Sequence, residues 1–287
     1  TGHTGFKGSW LLILLNLLGS KVYGYALKPL NKSLFEQANC KKILNKNTYS
    51  DINNYKKLKY EINKSKPQII FHLAAQPLVS QSFLDPLNTF KTNIIGTINL
   101  LEAIKNNKSV KSVVIITTDK VYKIKKNNRM YSEIDELGGK DPYSASKACT
   151  ELVSYSYIES FFQNSFLKNK ISTARSGNVI GGGDYSKNRL LPDIIKSINS
   201  NKTLIVRKPK NIRPWQHVMD PLIGYLKLAE KQYKNKINNI HHWNFGPNVS
   251  SFVSVNEIIK IVKKNNKLKY KIKYNQNFFE TEILKLN

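Results

Sequence analysis

Acidic residues are scarce in this chain: 19 aspartates and glutamates stand against 46 lysines and arginines, a formal net charge of +27 over 287 residues. Such an imbalance ordinarily points to nucleic acid. A second shortage argues against that reading. Only five of the 46 basic residues are arginine, whereas nucleic-acid surfaces rely on arginine forks and interleaved aromatics. The excess is lysine, accompanied by abundant asparagine and isoleucine, as an AT-rich coding bias produces. Runs such as Lys263–Lys273 read as solvated surface. No nucleic-acid partner is expected, although a positive field attracts small anionic substrates. Cysteine occurs twice, at Cys40 and Cys149, which excludes a disulfide framework and fits a reducing, cytoplasmic compartment. The longest apolar stretch, Trp10–Gly19, is too short to span a bilayer. It also lacks the charged lead-in and cleavage site of a secretory signal. It reads as a buried first helix, and no membrane association is expected. Histidines are few and isolated at His3, His72 and His217, and the His241–His242 pair has no metal-ligand spacing around it, so no metal site is expected.

What the chain does have is an alternation. Lys21–Leu27, Gln68–Ala74 and Val113–Thr118 read as strands, and Ile171–Gly181 as a strand followed by a loop. Asn54–Ser65, Pro86–Lys105 and Pro142–Phe162 read as helices between them. That order predicts an α/β fold with a parallel sheet covered on both faces. The stretch Asn31–Tyr49 carries little pattern and reads as a surface excursion. After Gly181 the texture becomes loop-rich. The expected organisation is a dinucleotide-binding domain over 1–180 and a smaller, partly interleaved substrate lobe over 181–287.

The chain opens on "TGHTGFKGSW", with Gly2, Gly5 and Gly8 ahead of an apolar helix. A glycine turn at a helix N-terminus lets a pyrophosphate approach the backbone and meet the positive helix end. No strand precedes the turn in this sequence; the chain is expected to be truncated there, the fold itself having a first strand. The second strand ends "GYALKP", without the acid that usually holds the cofactor ribose.

"YSASK" places Tyr143 and Lys147 one helical turn apart. A nearby ammonium favours a phenolate, which makes Tyr143 a candidate base. The spacing alone has little meaning in so lysine-rich a chain, because Tyr55–Lys59, Tyr60–Lys64 and Tyr122–Lys126 repeat it. Only Tyr143 opens a long apolar helix after a buried strand. That strand ends "TTDK", placing Thr118, Asp119 and Lys120 where open α/β sheets bind ligands. On its own the stretch fits a helix cap or a salt-bridged turn equally well.

With these motifs in place, the chain resembles the extended short-chain dehydrogenase/reductase superfamily. Within it, "GHTGFKGSW", "HLAAQPLV", "TNIIGTINLLEA", "TTDKVY", "DPYSASKACTELV", "ARSGNVIGGGD" and "RPWQHV" resemble the nucleotide-sugar 4,6-dehydratases, most of all the CDP-glucose group. The resemblance runs almost end to end and implies a Rossmann-type, doubly wound sheet. By position it implies that Gly2, Gly5, Phe6, Lys7 and Gly8 form the pyrophosphate turn of an NAD site. Asp51 and Ile52 would meet the adenine, and Leu73, Ala74, Ala75 and Asn93 would line the cofactor. Thr118, Tyr143 and Lys147 would form the oxidation triad, with Asp119 and Lys120 as an acid/base pair. Gln76, Asn178, Arg189 and Arg213 would bind the substrate. Ser80 stands where the family typically has arginine, and the chain ends short of the family's C-terminal helix. The resemblance further implies a homodimer and a nucleotide-sugar substrate, CDP-glucose first. A dTDP-glucose or GDP-mannose dehydratase, a nucleotide-sugar 4-epimerase and a non-catalytic Rossmann protein remain the alternatives.

Overall fold

The computed structural model describes residues 1–125, 130–186, 189–273 and 285–286. Helix α1 (Phe6–Leu17) leads to β1 (Tyr23–Ala26), α2 (Leu34–Gln37), β2 (Lys46–Tyr49), α3 (Tyr55–Ser65) and β3 (Ile69–His72). Then come α4 (Val79–Leu84), α5 (Pro86–Phe90) and α6 (Gly96–Ile104), the last two joined through a wide π turn, followed by β4 (Ser112–Ile116). After β5 (Met130–Tyr131) run α7 (Pro142–Tyr157), β6 (Ile171–Ser176), β7 (Val179–Ile180) and α8 (Leu190–Asn199). The remainder comprises β8 (Leu204–Val206), β9 (Ile212–Pro214), β10 (Gln216–His217), α9 (Met219–Tyr233), β11 (His242–Phe245), β12 (Phe252–Ser254), α10 (Val255–Asn265), β13 (Tyr270–Ile272) and β14 (Lys285–Leu286).

Strands β11, β6, β4 and β3 hydrogen-bond in that order, all parallel. Every residue of β4 and of β6 is buried. Cover on both faces explains why β4 reads as an apolar run rather than an alternation, whereas β6, ISTARS, is buried with its polar Thr173 and Arg175 paired to Glu151. Val113 and Ile115 point into a core with α3 and α6, beside Leu58, Ile62, Leu100 and Ile104. Val114 and Ile116 point the other way, against Leu11 of α1 and Leu222, Tyr225 and Leu228 of α9. The sheet is doubly wound, as expected.

Residues beyond 180 return to this core, because β11 extends the sheet and α9 covers one face. A separate small core joins Ile194, Leu204, Val206, Ile259 and Leu268. The end of the chain, where a helix was expected to be missing, falls largely on 274–284 and 287, outside the described residues.

Two expectations are revised. Asn31–Tyr49 is not a mere surface excursion. It carries β2, which pairs parallel to β1, and it buries Phe35 and Cys40 against Leu12 of α1. Its pattern is weak because β2 is a half-exposed edge strand, where polar residues cost little. The first helix is buried on one side only: Leu11 and Leu12 are covered while Leu17 and Leu18 are exposed.

The β1–β2 pair stands apart from the four-stranded sheet, and Thr1 and Gly2 bridge the two. The Gly2 amide donates to Tyr25 O at 2.9 Å, the Leu73 amide donates to Thr1 O at 3.2 Å, and the Thr1 amine donates to Phe71 O at 2.7 Å.

Candidate active site

The parallel strands end on one side, and the candidate residues gather there. Asp51 and Ile52 follow β2, Leu73–Ala75 follow β3, Thr118–Lys120 follow β4, and Gly177 and Asn178 follow β6. The glycine turn closes over them from α1.

The three glycines of that turn differ physically. Gly2 has φ +72°, and a Cβ there would stand 2.6 Å from the Ala74 amide nitrogen. A Cβ on Gly8 would meet Gly2 O at 2.1 Å. Both positions require glycine for the chain to pack on itself. Gly5 does not: its Cβ would touch only Gly2 O, at 3.4 Å. Gly5 is also the residue ahead of α1, and no side chain caps that helix. The uncapped amides and the open approach fit a diphosphate. The turn therefore has the shape and polarity that a dinucleotide needs.

Past β4, the Thr118 hydroxyl donates to Asp119 Oδ1 at 2.9 Å, and its influence lowers the Tyr143 phenol. Tyr143, Thr118, Asp119 and Lys147 are all buried. Burial raises the Asp119 carboxyl, against the pull of Lys120, the Thr118 hydrogen bond, Arg213 and Lys7. Lys147 Nζ donates to Ile116 O at 3.0 Å, and burial lowers its pKa to about 8, opposed by Glu151.

Tyr143 departs from expectation. Burial pushes its phenol to about 12, with Asp119 and Asp141 adding to the rise while Thr118 and Arg189 work against it. Lys147 gives one of its three ammonium protons in a hydrogen bond to the Ile116 carbonyl.

The spurious Tyr–Lys pairs separate cleanly. Lys64 Nζ donates to the exposed Tyr60 hydroxyl at 3.4 Å, and Lys59 lies over the Tyr55 ring, both on α3 and remote from the site. Lys126 of the third pair lies outside the described residues.

Cations ring the carboxyl. Lys7 Nζ donates to Ser176 Oγ at 2.6 Å, and burial together with Arg189 lowers its pKa to about 7. Arg189 bonds Asp184 at 3.2 Å and acts on both Lys7 and Tyr143, while Arg213 acts on Asp119. Such a ring suits a diphosphate anion.

Two expected ligand residues have other employment. The Asn93 amide accepts from the Gln76 backbone at 2.8 Å and donates to Ser146 Oγ at 2.8 Å, tying the loop after β3 to α7. The Gln76 side chain turns back onto Leu78 and Thr89. Both hold the frame of the site. Asp51 caps its own turn through the Asn53 amide, and Ile52 is buried against Gly96. His72 is a buried core residue held by Thr1 and Thr97.

One group was missed from sequence. Glu151 and Arg175 are fully buried and paired at 2.8 Å. Glu151 also accepts from Thr117, from Thr173 and, at 2.9 Å, from His242 Nδ1. Burial alone would raise this carboxyl, but His242 and Arg175 hold it near 2. The readable signal was spacing: Glu151 follows Lys147 by four residues, continuing the row from Tyr143.

Comparison with known proteins agrees with this geometry. The family described as GDP-mannose 4,6 dehydratase matches residues 1–284. The chain is 45% identical over 251 residues to the CDP-glucose 4,6-dehydratase of Salmonella typhimurium, covering 86% of this chain and 70% of that protein. It is 26% identical to the dTDP-D-glucose 4,6-dehydratase of Homo sapiens, over 93% of this chain and 74% of that protein. Among solved structures, a dTDP-glucose 4,6-dehydratase from Bacillus anthracis in complex with NAD superposes with TM-score 0.80 at 21% identity, covering 100% of this chain and 86% of that one. A UDP-glucose 4-epimerase from Thermotoga maritima gives 0.81 at 20%, over 100% and 88%. The structural matches carry the fold, and the sequence match carries the chemistry.

Proposed function

Since the chain belongs to the GDP-mannose 4,6 dehydratase family and is an NAD-dependent 4,6-dehydratase, we propose that it converts CDP-glucose to CDP-4-keto-6-deoxyglucose. NAD bound here would supply a hydride acceptor for C4 of the sugar and a hydride donor for C6. Residues Gly2–Gly8 would hold its diphosphate, Asp51 and Ile52 would meet its adenine, Leu73–Ala75 would line it and Lys147 would hold its ribose. Asn93 fixes the wall behind it.

Tyr143 accepts the proton of the 4-hydroxyl, and Thr118 hydrogen-bonds the same oxygen. A phenol pushed up by burial resists that step, and the positive charge of a bound oxidised nicotinamide would favour its phenolate. The new 4-ketone acidifies the C5 proton, which Lys120 takes if it stands as a neutral amine; as an ammonium it instead stabilises the enolate or orients Asp119. Asp119 protonates the departing 6-hydroxyl, so that water leaves. An acid for this task must remain protonated in the complex, and burial pushes Asp119 in that direction. Arg189, Arg213 and Asn178 hold the nucleotide diphosphate, with Gln76 fixing the loop beside it. We assign cofactor binding to residues 1–180 and the substrate lobe to 181–287. The enzyme works as a homodimer in the cytoplasm, where Cys40 and Cys149 stay as the free thiols found here.

The observation that carries the reading is the buried Asp119 carboxyl, held by the Thr118 hydroxyl at 2.9 Å, at the strand end where Tyr143 and Lys147 are also buried. An epimerase needs Tyr143 and Lys147 but has no use for a buried acid beside them. The test incubates the protein and NAD separately with CDP-, dTDP-, GDP- and UDP-linked sugars. A 4-keto-6-deoxy product from CDP-glucose is expected. Such a product only from a non-cytidine donor would overturn the substrate, and simple inversion at C4 would overturn the dehydratase.

A further inference from the structure

The row Tyr143, Lys147, Glu151 runs along one face of α7 at four-residue steps. The first two reach the proposed site. The third lies one turn deeper, wholly buried, with both carboxylate oxygens occupied. Oε1 takes the hydroxyl of Thr117, the residue just before Thr118. Oε2 takes the Thr173 hydroxyl, Arg175 Nη2 and His242 Nδ1. Arg175 is in turn held by the Tyr122 hydroxyl at 2.8 Å and the Glu133 carbonyl at 3.1 Å.

A bare buried ion pair is weak grounds for a special role, since an apolar pair would often fill the same space as well. This carboxylate differs because of what lies on its other side. Lys147 is buried, and its ammonium bonds a carbonyl rather than a carboxylate. The groups that act with it are Lys7 from α1, His72 from β3 and Glu151 of its own helix, with Tyr143 one turn before it on that helix and Asp119 next to Lys7. Lys7 adds like charge, His72 is held neutral by burial, and Asp119 is pushed toward its neutral form. That leaves Glu151 as the standing counter-charge.

Resting on the dehydratase reading, we propose that Glu151, locked by Arg175, is a positioning residue for the reaction. It supplies the counter-charge to the buried Lys147 ammonium, and it pins the end of β4 to α7 so that Thr118 and Tyr143 meet. Arg175 and His242 fix which way the carboxylate faces. The residue touches neither cofactor nor substrate; its effect passes through Lys147 and Thr117.

The test compares Glu151→Gln, Glu151→Asp and Thr117→Val with the wild type, each checked for folding by circular dichroism and thermal unfolding. In Glu151→Gln, kcat for CDP-glucose should fall about 10–100-fold while KM moves by less than about threefold. The alkaline loss of rate should move to lower pH by about one unit, because Lys147 loses its proton sooner without the carboxylate. Glu151→Asp should recover the alkaline limb. Thr117→Val keeps the charge and the arginine pair, so it should lower kcat about three- to tenfold with no shift in the limb. A titration of Lys147 by NMR of isotopically labelled lysine, assigned with Lys147→Arg, reads the charge without turnover. A lower lysine pKa in Glu151→Gln supports the proposal even if the wild type proves inactive on every sugar, an outcome that would overturn only the dehydratase reading. An unmoved lysine titration in a folded Glu151→Gln overturns the counter-charge. Should that variant fail to fold, wild-type kcat in Thr117→Val overturns the positioning role.

Discussion

Asp119 is a carboxyl group in a place that penalises its charge. Burial raises its pKa although Lys120, Arg213 and Lys7 oppose the rise, and an acid must keep its proton to give it away. The fraction able to protonate the leaving hydroxyl therefore falls as pH climbs through the raised value, and the elimination step should weaken on that side. Asp119→Asn removes the proton donor while leaving the neighbouring hydroxyl a partner. On mixing with substrate, this variant should build up enzyme-bound NADH, since C4 oxidation does not use the acid. Formation of the 4-keto-6-deoxy sugar should drop about 100-fold or more; wild-type product formation would remove Asp119 from the acid role. Lys7 poses the opposite problem. Burial, with help from Arg189, lowers it from 10.5 to about 7, so the folded ligand-free protein resists its charge. The unfolded chain binds that proton more tightly, and stability gains as pH rises through the window from about 7 to 10.5. Below that window the penalty is fully present. Lys7→Met should therefore unfold at a higher temperature than the wild type at pH 6, with the difference shrinking toward pH 10.5. A constant difference across that range would show that Lys7 is not the group responsible.

At the scale of elements, the turn from Thr1 into α1 separates two uses of glycine. A methyl on Gly8 would run into Gly2 O and the His3 backbone, which cannot yield without moving the turn. Gly8→Ala should cost about 1–3 kcal/mol of stability and reduce NAD binding with it. A methyl on Gly5 meets almost nothing from the protein but stands where a diphosphate would approach the uncapped helix. Gly5→Ala should unfold within about 2 °C of the wild type while binding NAD at least tenfold more weakly by calorimetry. Equal losses of stability in both variants would contradict this division. The main elements were legible from sequence because β3 and β4 leave apolar runs, and because α7 keeps a helical apolar spacing. β2 was not legible: "KNTY" is a half-exposed edge strand, and its place is set by pairing with β1 and by Phe35 and Cys40 beneath it. The catalytic candidates showed themselves through residue type at strand ends. Glu151 stayed hidden because a glutamate on a helix usually faces water, and nothing local says that Arg175, more than twenty residues on, will bury it. The commitments of Asn93 and Gln76 were equally invisible, since their partners come from three different elements.

For the whole molecule, the open question is what covers its apolar surface. Helices α4 and α5 pack beside α7, and their outer sides carry Leu84 and Leu87, 80% and 78% exposed. Leu152 and Tyr155 of α7 and Ile95 of the π turn continue the face, each roughly half exposed. Single exposed leucines are ordinary, but a contiguous set on neighbouring helices marks an interaction surface. A second copy of the chain is the simplest cover, because a two-fold axis through such a face pairs it with itself. The same helices carry Tyr143, Lys147 and the Asn93 tie, so pairing would also stiffen the wall of the site. Analytical ultracentrifugation at micromolar concentration should find a dimer. Leu87→Lys places a charge where the partner would bury it and should weaken association about 100-fold or more, shifting the protein to monomer. Leu30→Lys is the matched control: Leu30 is 81% exposed but stands on the loop after β1, away from this face, and it should leave the dimer intact. A wild type that sediments as a monomer, or a Leu87→Lys variant that stays dimeric, would assign the face to another role.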